Sequence, residues 1–183
     1  SILSYLQLND TERFLAESQT FLQLYPEHPH SAVVLYQLGD YYVAQQEYVP
    51  AIEVFTQLVE SFSESDLADE GMYGIGWCHF KLQHYAEAIQ EFTKFLETYP
   101  DGELVPDARY AKATAYFRQE QYIEAIGEYT IIVDTFPDYA LMDRIMLNMG
   151  IAYLANEQFD QAGQILQQSV TRYPNQPNIL EAY

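Results

Sequence analysis

The chain has 183 residues, of which 49% are hydrophobic and 15% are aromatic. That composition supports a sizeable core and excludes global disorder. With 27 acidic residues against 8 basic ones, the formal net charge is −19, which argues against nucleic acid or an anionic membrane surface as a partner. A single cysteine, Cys78, excludes an internal disulfide framework and a cysteine-rich zinc site. No apolar run reaches membrane-spanning length, so no direct membrane insertion is predicted.

The same sequence unit recurs several times along the chain, with a constant period of 37 residues. Residues 1–25 are predicted to be a partial repeat, in which a helix tail up to about residue 8 precedes a helix over residues 11–25. Four full repeats follow, and residues 175–183 are predicted to start a further helix. The full repeats cover residues 28–63, 65–100, 102–137 and 139–174. The clearest aligned positions are Tyr48, Tyr85, Tyr122 and Phe159, and Gly39, Gly76, Ala113 and Gly150.

Each repeat is predicted to hold two helices, which we call helix A and helix B. In the first repeat, Leu35, Leu38 and Tyr42 form one apolar stripe, as helix A requires. Ala51 and Phe55 begin the corresponding stripe of helix B. The link between the two helices is about three residues long, so they must run antiparallel. The recurring glycine or alanine in helix A indicates close approach of the two helices.

This pattern resembles the tetratricopeptide repeat family. The family has an apolar residue, Leu-Gly, Tyr, Ala, Phe, Ala and Pro at fixed offsets. The first repeat reads Leu35, Leu38-Gly39, Tyr42, Ala51, Phe55, Leu58 and Ser63. The resemblance implies an all-α fold, an α-solenoid of antiparallel helix pairs in a right-handed superhelix whose A helices line a groove. The longer unit is similar to bacterial cell-envelope members of the outer-membrane-assembly and Tol–Pal-associated types, and the periplasm and the cytoplasm both stay open as compartments.

The third repeat departs from the family pattern. Arg109 and Lys112 occupy positions that are apolar in the other repeats. We therefore expect its helix A to pack less well or to face solvent in part.

The resemblance places a set of aromatic and basic side chains on the groove face of the A helices. We interpret the recurring Tyr36, Tyr73 and Tyr110 as structural, packing between neighbouring A helices. Trp77 does not recur, because Asp40, Thr114 and Ile151 take its place, so it is the stronger candidate for partner contact. The candidate groove residues are Tyr36, Tyr73, Trp77, Phe80, Lys81, Tyr110, Phe117, Arg118 and Arg144.

Five of the eight basic residues lie in A helices of the second to fourth repeats, namely Lys81, Arg109, Lys112, Arg118 and Arg144. One hypothesis is a local site for an acidic or carboxylate-bearing peptide beside aromatic anchors. The alternative is that these cations neutralise neighbouring Glu and Asp residues. Both stay open from the sequence.

No catalytic constellation, metal site or cofactor motif is predicted. His28 and His30 resemble half a metal site, but no third ligand has suitable spacing. His79 replaces a core tyrosine, and Cys78 aligns with Ala115 and Ala152, so both are interpreted as packed side chains.

The sequence therefore predicts a non-enzymatic scaffold that binds a peptide or helix of a partner protein, within a bacterial envelope assembly. The alternative is a regulatory or targeting segment of a larger enzyme, of a secretion system or of a glycan-synthesis machine. Neither end shows the polar face of a terminal repeat. We therefore expect a longer array or self-association through the open ends.

Overall fold

A computed structural model of the chain describes residues 10–174, which form nine α-helices and no strand. The helices are α1 (Thr11–Leu24), α2 (Pro29–Ala44), α3 (Tyr48–Ser61), α4 (Ala68–Lys81), α5 (Tyr85–Thr98), α6 (Val105–Arg118), α7 (Tyr122–Thr135), α8 (Met142–Ala155) and α9 (Phe159–Arg172). The predicted all-α repeat fold is confirmed. The helix tail predicted before residue 9 and the further helix predicted over residues 175–183 lie outside the described residues. Among these nine helices, none has the length and hydropathy needed to cross a membrane.

The chain divides into two compact units, with the division between residues 104 and 105. Unit 1 contains α1 to α5, and unit 2 contains α6 to α9. In unit 1, α3 packs against both α2 and α4, and α4 packs against α5. In unit 2, α7 packs against α6 and α8, and α8 packs against α9. Each helix B of the four full repeats is therefore covered by its own helix A, and α3 and α7 are also covered by the helix A that follows.

Helix A ends in the same backbone turn in all four full repeats. In the second repeat, the Gln83 N–H donates to the Phe80 carbonyl at 3.0 Å and the His84 N–H donates to the His79 carbonyl at 2.9 Å. This is the Schellman pattern, which satisfies carbonyl groups left open at a helix end. It requires one left-handed residue, and Gln83 has a φ of 61°. The four left-handed residues are Gln46, Gln83, Glu120 and Glu157.

Helix B also ends in a recurring turn. The carbonyl of Phe62 accepts from the Ser65 N–H at 2.9 Å, and the carbonyl of Tyr99 accepts from the Gly102 N–H at 3.1 Å. The carbonyl of Phe136, one period later, accepts from the Tyr139 N–H at 3.0 Å. After helix B of the first three full repeats, the connection to the next helix A therefore begins with the same closed turn.

The small residues of helix A face the large residue of helix B. A Cβ atom on Gly76 would lie 2.8 Å from the ring of Phe92, which is fully buried. A Cβ atom on Gly74 would lie 2.7 Å from the Phe55 ring of the preceding helix B. Since real Cβ atoms do not approach so closely, these glycines set the distance between the helices. The close approach predicted from the sequence is present, and the aromatic ring itself occupies the space that glycine leaves.

Candidate functional site

A column of aromatic rings runs along one face of α4 in unit 1. Tyr73, Trp77 and Phe80 lie at positions i, i+4 and i+7, which share one side of a helix. The rings of Tyr73 and Trp77 are 6.5 Å apart at an interplanar angle of 12°, and those of Trp77 and Phe80 are 5.7 Å apart at 10°. The ammonium group of Lys81 lies 4.5 Å from the centre of the Trp77 ring. We call Tyr73, Trp77 and Phe80 the α4 column.

The members of the α4 column differ in how firmly the rest of the unit holds them. Tyr73 also contacts Phe92 at 5.7 Å and Phe95 at 6.2 Å between ring centres. Phe80 contacts Tyr85 at the start of α5, at 5.5 Å. All three members of the column are half-buried. The remaining exposed surface therefore presents flat aromatic rings beside one cation.

The recurring tyrosines of helix A pack on the aromatic residue of their own helix B. The ring centres are 6.3, 5.7 and 6.3 Å apart, at interplanar angles of 48°, 50° and 46°. The pairs are Tyr36 with Phe55, Tyr73 with Phe92, and Tyr110 with Tyr129. Repetition of one geometry supports the structural interpretation of these tyrosines. These ring contacts are within the repeat, and the predicted contact with the neighbouring helix A is seen at Tyr110, which bonds Asn148 of α8.

Carboxylates lie close to Tyr36, which is the equivalent of Tyr73 in the first repeat. Burial raises the pKa of Tyr36, and the nearby charges of Asp40, Glu70 and Asp69 raise it further. Burial likewise raises the pKa of Asp40, opposed by its hydrogen bond with Tyr36. The pKa of Glu70 is raised to about 7, first by burial and then by a hydrogen bond with Asp69 and the charges of Asp69 and Asp66. One oxygen of Glu70, Oε2, is buried without a hydrogen-bond partner. The residues around Tyr36 are therefore acidic, whereas the residue beside Trp77 is the cation Lys81.

The predicted groove residues of unit 2 lie on α6 and α8. The hydroxyl of Tyr110 accepts a hydrogen bond from Asn148 Nδ2 at 3.4 Å, which links α6 to α8. Phe117 packs edge-on against Tyr122 with ring centres 5.4 Å apart. Arg118 and Arg144 are exposed and form no ion pair within residues 10–174. They are therefore available to an external carboxylate.

Arg109 and Lys112 do not contribute to a site for an acidic peptide. Arg109 Nη1 lies 2.7 Å from Glu128 Oε2, and Lys112 Nζ lies 2.9 Å from Glu128 Oε1. Their side chains are 24% and 10% exposed, and that of Glu128 is 13% exposed. Helix A of the third repeat was expected to pack less well or to face solvent in part. Instead, six of its residues are buried, and Glu128 on α7 neutralises both cations between the two helices. For these two residues, charge neutralisation by a neighbouring Glu is the correct alternative.

The ion pairs of Glu128 could have been predicted from the sequence, but only by considering helix A and helix B of the repeat together. The equivalents of Glu128 in the first, second and fourth repeats are Val54, Glu91 and Ile165, so this position is apolar in two repeats and a glutamate in the other two. Only the third repeat combines such a carboxylate with two cations at apolar positions of helix A. Comparing positions across the paired helices would have predicted the ion pairs.

The other candidate residues lie apart from these surfaces. Cys78 is fully buried, as its alignment with alanines predicts, and burial raises the pKa of its thiol to about 12. The rings of His28 and His30 are 5.1 Å apart, and His28 Nδ1 accepts from the His30 N–H at the start of α2. Across residues 10–174 there is no group of three or more His, Cys, Asp or Glu residues placed to hold a metal ion. His79 is half-buried, and its Nδ1 has no hydrogen-bond partner.

Solved structures of several repeat proteins are similar to this chain. One is MamA, with a TM-score of 0.76 at 19% sequence identity, covering 92% of this chain and 91% of MamA. Another is the segment of MamA from residue 41 to its end from Desulfovibrio magneticus RS-1, with a TM-score of 0.75 at 17% identity, covering 97% of this chain and 93% of that one. A third is YrrB, a tetratricopeptide repeat protein with an unusual peptide-binding site, with a TM-score of 0.74 at 20% identity over 95% of this chain and 84% of YrrB. At these identities the likeness shows the fold alone.

Comparison of sequences gives the family. No curated protein sequence matches this chain significantly. The tetratricopeptide repeat family matches residues 36–103 and 110–177, which is more than half of the chain. The chain therefore belongs to the tetratricopeptide repeat family.

Proposed function

We propose that the chain is a non-enzymatic protein-interaction scaffold whose unit 1 binds a peptide or helix of a partner protein on the α4 column. Membership of the tetratricopeptide repeat family supports an interaction role. The peptide-binding site named for the similar YrrB supports a peptide as the ligand. The groove residues of unit 2, Tyr110, Phe117, Arg118 and Arg144, are proposed as a second set of contacts of the same kind.

The observation that carries the proposal is the half-exposed indole of Trp77. The repeat fold does not need an aromatic residue here, because Asp40, Thr114 and Ile151 occupy the same position in the other repeats. Large flat rings that stay partly exposed lose little conformational entropy on binding, and they carry much of the affinity at protein interfaces. The stack with Tyr73 and Phe80 holds the indole in place before a partner arrives.

The proposed partner segment is apolar or aromatic, with a carboxylate at one end. Lys81 lies beside Trp77 and is exposed, so a partner carboxylate at that end would form a charge-assisted hydrogen bond. Replacement of Lys81 by Glu is expected to weaken binding of such a segment more than binding of an uncharged one.

Selection of peptides from a random displayed library on the wild-type protein tests the proposal. Affinities of the selected peptides are then measured for Trp77→Ala and for Phe159→Ala, which removes an exposed ring from α9 in unit 2. Trp77→Ala is expected to weaken binding about tenfold or more, with an unchanged melting temperature, whereas Phe159→Ala should bind as the wild type does. Equal binding by Trp77→Ala would overturn the proposal, and a fall of several degrees in its melting temperature would assign Trp77 to the core.

The setting proposed from the 37-residue unit is a bacterial envelope assembly, and the alternative is a regulatory segment of a larger enzyme. The full reading frame distinguishes them. A lipoprotein signal supports the first setting, and an appended catalytic domain supports the second.

A further inference from the structure

The outer face of α7 in unit 2 is unusually apolar. Ile123 is 68% exposed and Ile131 is 39% exposed, and the exposed Gly127 lies between them. The three residues are at positions i, i+4 and i+8, so they form one line along the helix. At 1.5 Å per residue the line is about 12 Å long, which is roughly two helical turns. We call Ile123, Gly127 and Ile131 the α7 stripe.

No other helix B of the full repeats has apolar residues at all three of these positions, although α9 exposes Phe159 and Val170 at others. At the three equivalent positions, each of the others exposes at least two polar residues. The sets are Val49, Glu53 and Gln57 on α3, Ala86, Gln90 and Lys94 on α5, and Asp160, Gln164 and Gln168 on α9. Since the other three full repeats are built without an apolar line here, the repeat architecture does not explain the α7 stripe.

Packing within the chain does not explain Gly127 either. A Cβ atom on Gly127 would meet nothing within 4 Å, whereas one on Gly76 would collide with Phe92. Gly163 on α9 is equally open, but only Gly127 lies between two exposed isoleucines. Glycine in an exposed helix is less stable than alanine, so this position carries a destabilising residue without an internal reason. A glycine between two isoleucines leaves a notch on the helix surface. Such a notch allows the backbone of a second helix to approach closely.

The charges beside the stripe limit what can occupy it. Glu120, Glu124, Asp134 and Asp138 are exposed beside or just beyond the ends of the stripe, and α7 contains no Lys or Arg. Arg172 of α9 donates to the Pro137 carbonyl at 3.0 Å at one end, so the named carboxylates still outnumber that cation. A second copy of the chain would bring the same carboxylates to the contact, and each copy carries a net charge of −19. Like charges across an interface oppose association. A partner with basic residues on both sides of an apolar face is favoured for the opposite reason.

We propose that the α7 stripe is a docking surface for an amphipathic helix of a partner protein, with Lys or Arg flanking its apolar face. The partner's apolar side chains cover Ile123 and Ile131, and its backbone crosses at Gly127. The α7 stripe shares no residue with the α4 column, so the two proposals can fail independently.

The test uses two labelled peptides with the same amphipathic helical face, one flanked by Lys and the other by Glu. Fluorescence anisotropy measures their binding to the wild type and to three variants. Ile123→Glu places a charge in the stripe, Gly127→Gln fills the notch, and Gln90→Leu changes the position of α5 that is equivalent to Gly127. Trp77→Ala is included as the link to the proposed function. Sedimentation velocity records the oligomeric state of every protein.

The Lys-flanked peptide is expected to bind at least tenfold more tightly than the Glu-flanked one. Ile123→Glu and Gly127→Gln should each weaken it at least tenfold, whereas Gln90→Leu and Trp77→Ala should not. Since Ile123→Glu makes the protein more acidic, purely electrostatic attraction would instead strengthen binding in that variant. Unchanged or tighter binding by Ile123→Glu overturns the proposal. A wild-type dimer that Ile123→Glu converts to a monomer also overturns it, because the occupant would then be a second copy.

Discussion

The ion pairs of Glu128 allow a quantitative test of how the third repeat is stabilised. Glu128→Gln keeps the shape of the side chain but removes the charge that neutralises Arg109 and Lys112. Breaking a buried ion pair by removing one partner destabilises a protein by about 3–5 kcal/mol. Because the Arg109 side chain is 24% exposed, water compensates part of that cation, and we expect a loss of about 3 kcal/mol.

The fourth repeat supplies the apolar alternative at the same three positions. Met146, Met149 and Ile165 occupy them, and all three are buried. A triple variant with Arg109→Met, Lys112→Met and Glu128→Ile therefore replaces the charges by residues that the fold already accepts. Replacing a buried ion pair by well-packed apolar residues is often neutral or stabilising by about 1–4 kcal/mol, so the triple variant should be at least as stable as the wild type.

Urea unfolding followed by circular dichroism measures both effects. Fluorescence of Trp77, the single tryptophan of the chain, reports separately on unit 1, so a loss confined to unit 2 is recognisable. Glu91→Gln is the matched control, since Glu91 holds the equivalent position on α5 without an ion pair. The reasoning is refuted if Glu128→Gln is as stable as the wild type, or if the triple variant loses more than about 2 kcal/mol.

Three further predictions concern the contrast between Gly76 and Gly127, the left-handed Gln83, and the raised pKa of Glu70. Gly76→Ala should lower the free energy of unfolding by about 1–3 kcal/mol, because its Cβ would collide with Phe92, whereas Gly127→Ala should raise it by about 1 kcal/mol; thermal unfolding measures both. Gln83→Gly should stabilise by about 0.5 kcal/mol in urea, since glycine adopts the φ of 61° without strain but loses more entropy on folding, and a loss in this variant would contradict that account. Because the raised pKa of Glu70, about 7 against an ordinary 4.5, means that the folded state binds the proton more tightly, stability should fall as pH rises from about 5 to 8. Glu70→Gln should remove about 1 kcal/mol of that fall, reduced by solvent screening, and identical pH profiles of the two proteins would exclude the effect.

The 37-residue register predicted the helices well because every repeat supplies an independent copy of the same pattern. Gly76 and Phe92 illustrate this, since each is one of a set of aligned small and large residues that face one another. A wrong helix boundary predicted in one repeat would have disagreed with the aligned boundary in the next repeat. The repeated left-handed turn at Gln83 was not predicted, because glutamine gives no sign of a positive φ.

The candidate surfaces were predictable only in part. Helical spacing places Trp77 on the face of Tyr73 and Phe80, but it does not give the side-chain rotamers that stack the rings. It also cannot show that Lys81 lies over the indole while Lys112 reaches Glu128. These outcomes depend on which residue faces the side chain from another helix, and a single helical stripe does not contain that information.

The turn that recurs after helix B has a consequence for how the number of repeats can change during evolution. Phe62, Tyr99 and Phe136 each accept from the residue three positions on, so the backbone leaves the first three full repeats in the same local conformation. Unequal recombination of the gene between two of these turns would delete or duplicate one whole unit and create no new kind of junction. Array length can therefore evolve in steps of one repeat, while individual copies acquire their own surface residues, as the copy that carries Trp77 has done.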